Sequence, residues 1–544
     1  MSLVPYRHPR GVIPRRSSAT QNHAAFPFPA PMRGIDVSQP LPGGDPTTAL
    51  RLENLIPRVL GNQMRRGYLR WVSNLDGEVR SLMRYLPPSG NNKLLAATSS
   101  GKIYDVTTAS ASGVVPVPVL TVLAGAPVGE WTSLNFTTNA GVHVMLMVCP
   151  GAGYWIYDGT TFTQITLGAG PNQIAGINPN LFSFVTVYQN RLWFIENGTT
   201  RGWYLGFGVY AGAATSFDFG SMLPNGGTLQ ALINWTFDGS SGVGVNVQFV
   251  IVGSQGDVLV YSGTDPATAA TWTVNGRWFI GRVPVGYRFF SNYQQDVIIL
   301  SERGMVFMSE LMRGQGFFSN PQTASAINSA LATEIAASLT ARYWEIRFLP
   351  NDQLLVINRA EVTTENLQWV YEVNQKAFAT LRGIPMNTVD TFNGRGYSGD
   401  LVGNIWQVLV GGSDGSVDDV PGSDLQGICV TAFQPMGEAI RVKRFLMVRP
   451  SFISDSAPGV QAGLNSEWNV AAPSLSPAYL GAGSSSWDVG LWDVAVWSGE
   501  GQSYEAWIGA TGSGRYASLA LRVRASADTI FVGWQALVEQ GGVL

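Results

Sequence analysis

The residues most able to do chemistry are few and scattered. Three histidines, His8, His23 and His143, are too far apart in sequence to suggest a metal cluster, and no serine or cysteine pairs with them in a recognisable triad. Two cysteines, Cys149 and Cys429, stand far apart among apolar neighbours and read as buried thiols rather than a disulfide or zinc framework. The run "GRGYSG" (394–399) fits the glycine pattern of a dinucleotide-binding loop, but a strand-like segment follows where a phosphate-binding helix should begin. The acidic loop "GGSDGSVDDVPGSD" (411–424) offers Asp414, Asp418, Asp419 and Asp424 as oxygen ligands for Ca²⁺ without a regular ligand spacing, so it reads as a solvated linker. No catalytic, cofactor or metal constellation assembles, and a non-enzymatic role is expected. Paired carboxylates for glycoside hydrolysis are a spatial feature that sequence spacing does not reveal.

The elements that would have to position such residues are strands. Charged residues make up 13% of the 544, about half the usual share, beside 63 Gly and 30 Pro. Apolar strands joined by many turns have this composition. Net charge is −3, which argues against a dedicated nucleic-acid binder. Only four of the 34 basic residues are lysine (Lys93, Lys102, Lys376 and Lys443). Arginine suits packed, bidentate contacts, so the bias fits extensive interfaces, although a GC-rich genome would produce it too. The N-terminus lacks the apolar core of a signal peptide. The uncharged run Val106 to Gly129 carries Pro116, Pro118 and Pro127 and reads as strands and turns, so no membrane-spanning segment is expected.

A hairpin pattern recurs: an apolar strand, a polar turn, then a second strand usually rich in aromatics. It begins at Leu94, Met145, Leu192, Phe249, Val297, Leu354 and Tyr397, at intervals of 43 to 57 residues. Propeller blades repeat on this scale, and such hairpins hide their apolar faces by stacking around an axis. The expected fold is all-β: a β-propeller of six to eight blades over 36–410, with Trp193, Tyr204, Tyr261 and Trp278 packed between blades. Alternation resumes after the 411–424 linker, predicting a sandwich-like β domain over 425–544. "TASAINSALATEIAASLTARYW" (323–344) is the one convincing helix, with Ile327, Leu331, Ile335 and Leu339 on one face. Residues 1–35, proline-rich and without an acidic residue, read as an extended basic arm.

Three stretches carry a family likeness. "PMRGIDVSQPLPGGDPTTALRLENLIPRVLGNQMRRGYLRWVSNLDGEVRSLMRY" (31–85), "YQNRLWFIENGTTRGWYL" (188–205) and "GSQGDVLVYSGTDPATAATWTVNGRWFIG" (253–281) resemble tail nozzle proteins of short-tailed bacteriophages, as does the ending "VGWQALVEQGGVL". "LENLIP" and "YSGTDP" followed by a tryptophan are the strongest marks. Arg65-Arg66-Gly67 departs from the Arg-Pro-Gly that the family often has. The resemblance implies a homo-hexameric ring below the adaptor (the head-to-tail connector), in the tail of the virion. Such a ring retains the genome, conducts double-stranded DNA at ejection without specific binding, and carries fibres or spikes. It also implies that the second β domain forms a platform. The arm, through Arg7, Arg10, Arg15 and Arg16, would dock on the adaptor. The alternative is a receptor-binding or glycan-degrading tail protein.

Overall fold

Each of the seven repeated hairpins supplies the second and third strands of a small antiparallel sheet. The computed structural model describes residues 23–122, 129–238, 245–268, 270–293, 295–313, 325–340, 344–359, 366–418, 420–473, 502–525 and 528–541. The innermost strands of blades 1 to 7 are Val79–Tyr85, Thr132–Thr137, Phe182–Tyr188, Leu229–Asp238, Phe290–Tyr293, Trp344–Leu349 and Thr388–Phe392. Each packs against the next blade, and Thr388–Phe392 packs back on Val79–Tyr85, so the ring is closed with seven blades. The protein is therefore an all-β propeller with further β-sheets beside it.

Blades 5 and 7 lack a fourth strand of their own downstream, while blade 2 carries two further short strands, Gln173–Ala175 and Gly212–Ala213, beyond its fourth. Blade 7 takes its outer strand, Tyr68–Val72, from upstream of blade 1; it pairs antiparallel with Ile405–Val408. The ring is thus fastened by chain segments more than 300 residues apart. Blade 5 has three strands, and the helix Ser325–Ser338 packs on its last strand, Gly304–Phe307. Ile327, Leu331 and Ile335 of that helix are fully buried, as their four-residue spacing required.

Beside the propeller lies a two-sheet sandwich. One sheet contains His23–Pro29, Leu55–Arg58, Gly61–Met64, Lys443–Ser454 and Ile530–Gln540. The other contains Ala49–Glu53, Ser423–Thr431, Gly459–Ser466 and Ala517–Ala525. At Gly427 the sheets approach so closely that a Cβ would lie 2.9 Å from Leu55 and 3.0 Å from Met64 of the facing sheet.

Three expectations need correcting. Residues 23–35 are not part of a free arm: His23–Pro29 pairs along its length with Ile530–Gln540, Phe28 stacks on Trp534 at 4.5 Å, and Arg33 binds Asp45 at 2.7 Å. This is an edge strand, where Pro27 and Pro29 remove no ladder bond that a neighbour needs. The segment 411–424 is not a solvated linker either. Within it Ser413–Ser416 runs parallel to Tyr68–Val72 and antiparallel to Ser423–Thr431. Glu53 and Thr380 make a second bridge, so blades 6 and 7 and one sandwich sheet form a continuous 13-stranded sheet. The sandwich is also not confined to 425–544, since strands from residues 23–64 complete it. One apolar core, holding Phe289, Trp344 and Leu381 as well as Leu52, Leu521 and Trp534, spans propeller and sandwich.

Candidate functional site

Polar side chains converge in two places: the propeller axis and the junction with the sandwich. At the axis, Arg288 stands just before the inner strand of blade 5 and reaches four other blades. Its Nη1 donates to the Arg80 carbonyl of blade 1 at 3.0 Å and to Thr388 Oγ1 of blade 7 at 2.9 Å. Its Nη2 donates to the Trp131 carbonyl, at the head of blade 2, at 2.9 Å, and to Ser81 Oγ. Glu345 of blade 6 lies 3.6 Å from it. Strand alternation puts Glu345 and Arg347 on one face, where Arg347 sits 3.5 Å from Glu345 and 3.8 Å from Asp390. Arg84 of blade 1 completes the chain, 3.3 Å from Asp390.

These carboxylates are engaged. Glu345 accepts from Thr388 Oγ1 at 3.1 Å and the Val389 amide at 2.9 Å, and Asp390 accepts from the Thr391 amide at 2.7 Å. The arrangement is chemically a clamp: partly exposed arginines around the buried carboxylates Glu345 and Asp390 fix the inner strands of blades 5, 6, 7 and 1 against one another.

The junction is organised by Arg65, whose side chain is fully buried. Both terminal nitrogens bind Asp414 at 2.7 Å in a bidentate fork, Nε binds Asn54 Oδ1 at 2.9 Å, and Nη2 also reaches the Arg382 carbonyl at 3.0 Å. One guanidinium thus joins the sandwich to blade 6 and to the former linker. Gly67 makes this fit possible, since a Cβ there would lie 1.8 Å from the Ser413 carbonyl oxygen. Across the same junction Arg58 donates to Glu372 at 2.7 Å and to the Asp352 carbonyl at 2.9 Å. Burial pushes the Asp352 carboxyl up to about 6, against the pull of Arg58, Arg66 and Arg395.

The residues singled out in the sequence fall as follows. Asp414, Asp418 and Asp424 each bind a different arginine, Arg65, Arg70 and Arg524, and do not converge on a common point; Asp419 lies outside the described residues. Among the described residues no group of three or more His, Cys, Asp or Glu could hold a metal ion. His143 shares a hydrogen bond with Thr137 at 2.8 Å and packs on Tyr85, while burial lowers its pKa. Both thiols are buried, which pushes Cys149 up to about 11 and Cys429 well above an ordinary thiol. The "GRGYSG" glycines serve packing: a Cβ on Gly399 would lie 2.3 Å from Val79 of blade 1, and one on Gly396 would meet Val408 and Leu349. Trp193, Tyr204 and Tyr261 lie between blades 3 and 4, as expected. Trp278 joins a different packing face: half-buried on the outer strand of blade 4, it packs against the core that holds Val258 of blade 4 and Val297 of blade 5, while Trp272 joins the seam between blades 3 and 4. Arg7, Arg10, Arg15 and Arg16 lie outside the described residues. Sequence reasoning missed Arg288 and Arg65, whose only trace is the preference for arginine over lysine.

No family model matches this chain, and no curated protein matches it. Solved structures similar to it include the β-propeller domain of Myceliophteria thermophila Cps50 (Swd1), with TM-score 0.34, 10% identity, and coverage of 62% of this chain and 98% of that one. BBS1N in complex with ARL6DN is similar with TM-score 0.37 and 11% identity, covering 63% of this chain and 98% of that one. PorZ, a surface component of the type-IX secretion system of Porphyromonas gingivalis, is similar with TM-score 0.35 and 12% identity, covering 66% of this chain and 42% of that one.

Proposed function

We propose that this chain is a structural, non-catalytic subunit of the tail of a short-tailed bacteriophage. In this reading six copies form the nozzle that prolongs the DNA channel below the adaptor, retains the genome and conducts it at ejection, with flanks that receive fibres or spikes. One observation carries the reading: the segments with the family likeness lie where the chain joins the sandwich sheets, fastens the propeller and packs blades 3 and 4 together. "LENLIP" is where the chain crosses between the two sandwich sheets, with Asn54 at φ 57° making the turn and holding Arg65. The stretch 31–85 also supplies the strand that fastens the propeller. "YSGTDP" leads from Tyr261 to Trp272, which stack on each other at 5.3 Å between blades 3 and 4.

A propeller that shares a sheet and a core with its neighbour suits a wall that must not hinge. Many arginines are engaged within the chain, among them Arg58, Arg65, Arg84, Arg288 and Arg524, which suits a conduit that should not grip DNA. No described helix is long and apolar enough to cross a membrane. The basic residues Arg7, Arg10, Arg15 and Arg16 would dock on the adaptor. Since His23–Pro29 belongs to the sandwich, deletion of residues 2–22 tests that role with this strand left in place.

Electron microscopy of virions labelled with an antibody to this chain tests the proposal. Label on a sixfold ring at the distal end of the tail, and DNA leakage from particles lacking the protein, are expected. Label on the capsid shell or on fibre tips, or release of reducing sugar from host polysaccharide by the purified protein, would overturn it.

A further inference from the structure

The outermost strand of each blade ends a sheet, and in six blades that strand is short or partly covered. In blade 1 it is Leu120–Thr121, two residues long, and in blade 3 it is Thr215–Asp218, four residues long. In blade 2 the strand Gln173–Ala175 pairs with the end of Phe162–Leu167. The helix Ser325–Ser338 packs on the last strand of blade 5, Glu53 bridges to Thr380 of blade 6, and Ser413–Ser416 runs beside Tyr68–Val72 of blade 7. Blade 4 differs. Its outermost strand, Trp272–Phe279, is eight residues long and pairs on one side with Asp257–Gly263, and no described strand pairs with its other side. Such an edge presents a row of unpaired backbone donors and acceptors to an incoming strand.

The side chains along this edge form a pattern. Val274, Arg277 and Phe279 pair with Tyr261, Leu259 and Asp257, so they share one face of the blade, at alternate positions once the bulge at Asn275 is allowed for. The bulge is anchored inward, since Asn275 donates to Gln248 Oε1 and accepts from Ser262 Oγ. Val274 is 40% and Phe279 42% exposed, and the Arg303 guanidinium lies 4.9 Å from the centre of the Phe279 ring. Arg277 is exposed between them and pairs with no carboxylate among the described residues. The face therefore reads apolar, cationic, apolar.

We propose that the free edge of blade 4 accepts a β-strand from another protein, one that carries an acidic residue between two aliphatic ones on a single face. Backbone bonds would extend the blade by one strand, the carboxylate would sit opposite Arg277, and the aliphatic groups would cover Val274 and Phe279. Charge argues against the occupants that this chain could itself supply. Residues 1–22 hold Arg7, Arg10, Arg15 and Arg16 and no carboxylate. A second copy of the same strand would bring a second unpaired Arg277 onto the ladder. The inference does not rest on the nozzle reading, because it concerns one blade of a single subunit.

Fluorescence anisotropy of a labelled Thr-Val-Thr-Glu-Thr-Val-Thr amide, titrated with the full-length protein, tests it, with amide hydrogen exchange of the protein as a second readout. Saturable binding is expected, with exchange slowed in Trp272–Phe279. The Gln-for-Glu peptide should bind about threefold more weakly, the worth of one cross-strand charge pair. Arg277→Glu, a change at an exposed position, turns that attraction into repulsion. It should weaken binding of the Glu peptide about tenfold and make the Lys-for-Glu peptide the tighter ligand. No saturable binding up to about 1 mM, equal binding of the Glu and Gln peptides, slowed exchange only elsewhere, or no effect of Arg277→Glu would overturn the proposal. So would slowed exchange in Trp272–Phe279 on raising the protein concentration alone, which would make a second copy the occupant.

Discussion

Between blades 3 and 4, Trp193, Phe249, Tyr261 and Trp272 form one aromatic stack, with Trp193 and Trp272 nearly parallel at 5.7 Å. At the axis, blades 5, 6, 7 and 1 are instead held by Arg288, Glu345, Arg347, Asp390 and Arg84. The aromatic seam gains from removing large apolar surfaces from water, a force without directional demands. The ionic net must offset desolvation with geometry, and its benefit lies in fixing one arrangement of four blades. The first region tolerates loss of detail, whereas the second loses its register when one partner goes. The junction at Arg65 belongs with the second kind.

The largest effect should come from Arg65→Ala, which leaves Asp414 without its bidentate donor and removes one of the two donors to Asn54 Oδ1. Removing one partner of a buried pair costs about 3–5 kcal/mol. Chemical denaturation measures this, and a loss within about 0.5 kcal/mol, the range of ordinary surface changes, would refute the junction role. Tyr261→Ala should cost about 3 kcal/mol through its buried ring. Arg288→Met should cost about 2 kcal/mol, since it removes several charge-assisted bonds but leaves an apolar chain in place. The two differ in kind: added salt should narrow the gap between Arg288→Met and wild type and leave that of Tyr261→Ala unchanged.

A smaller effect is expected at Asp352. Its folded carboxyl, raised to about 6, holds a proton that the unfolded chain, at the ordinary value of 3.8, has already released. Between these values the folded state binds more protons, so this group makes stability fall as pH rises through the window and level off above it. Asp352→Asn should remove that slope, and denaturation midpoints at pH 4, 5 and 6 would show it. The smallest signal is at the thiols: Cys149 and Cys429 should stay unreactive toward a disulfide reagent at pH 8 until the protein unfolds.

The same contrast explains what could be read in the sequence. The seven hairpins were legible because strand alternation and turn residues are local, and the helix was legible from the spacing of Ile327, Leu331 and Ile335. Tyr68–Val72 was not, because its partner Ile405–Val408 lies far downstream and a strand's pattern does not name its neighbour. Which face each aromatic joins was not legible: on one strand Trp272 packs with Tyr261 between blades 3 and 4, while Trp278 packs half-buried against the core on the other face of blade 4. Asp414 read as solvated because its cation, Arg65, is nearly 350 residues away. At the candidate sites, residue types were visible and their pairing was not.

Calorimetry of the intact protein tests most directly the claim that propeller and sandwich are one mechanical body. A shared 13-stranded sheet, a common core and the Arg65 bonds should make them melt together, in a single endotherm whose calorimetric and van't Hoff enthalpies agree. Two resolved transitions, one for the propeller and one for the sandwich, would contradict the account and restore residues 411–424 to the status of a linker.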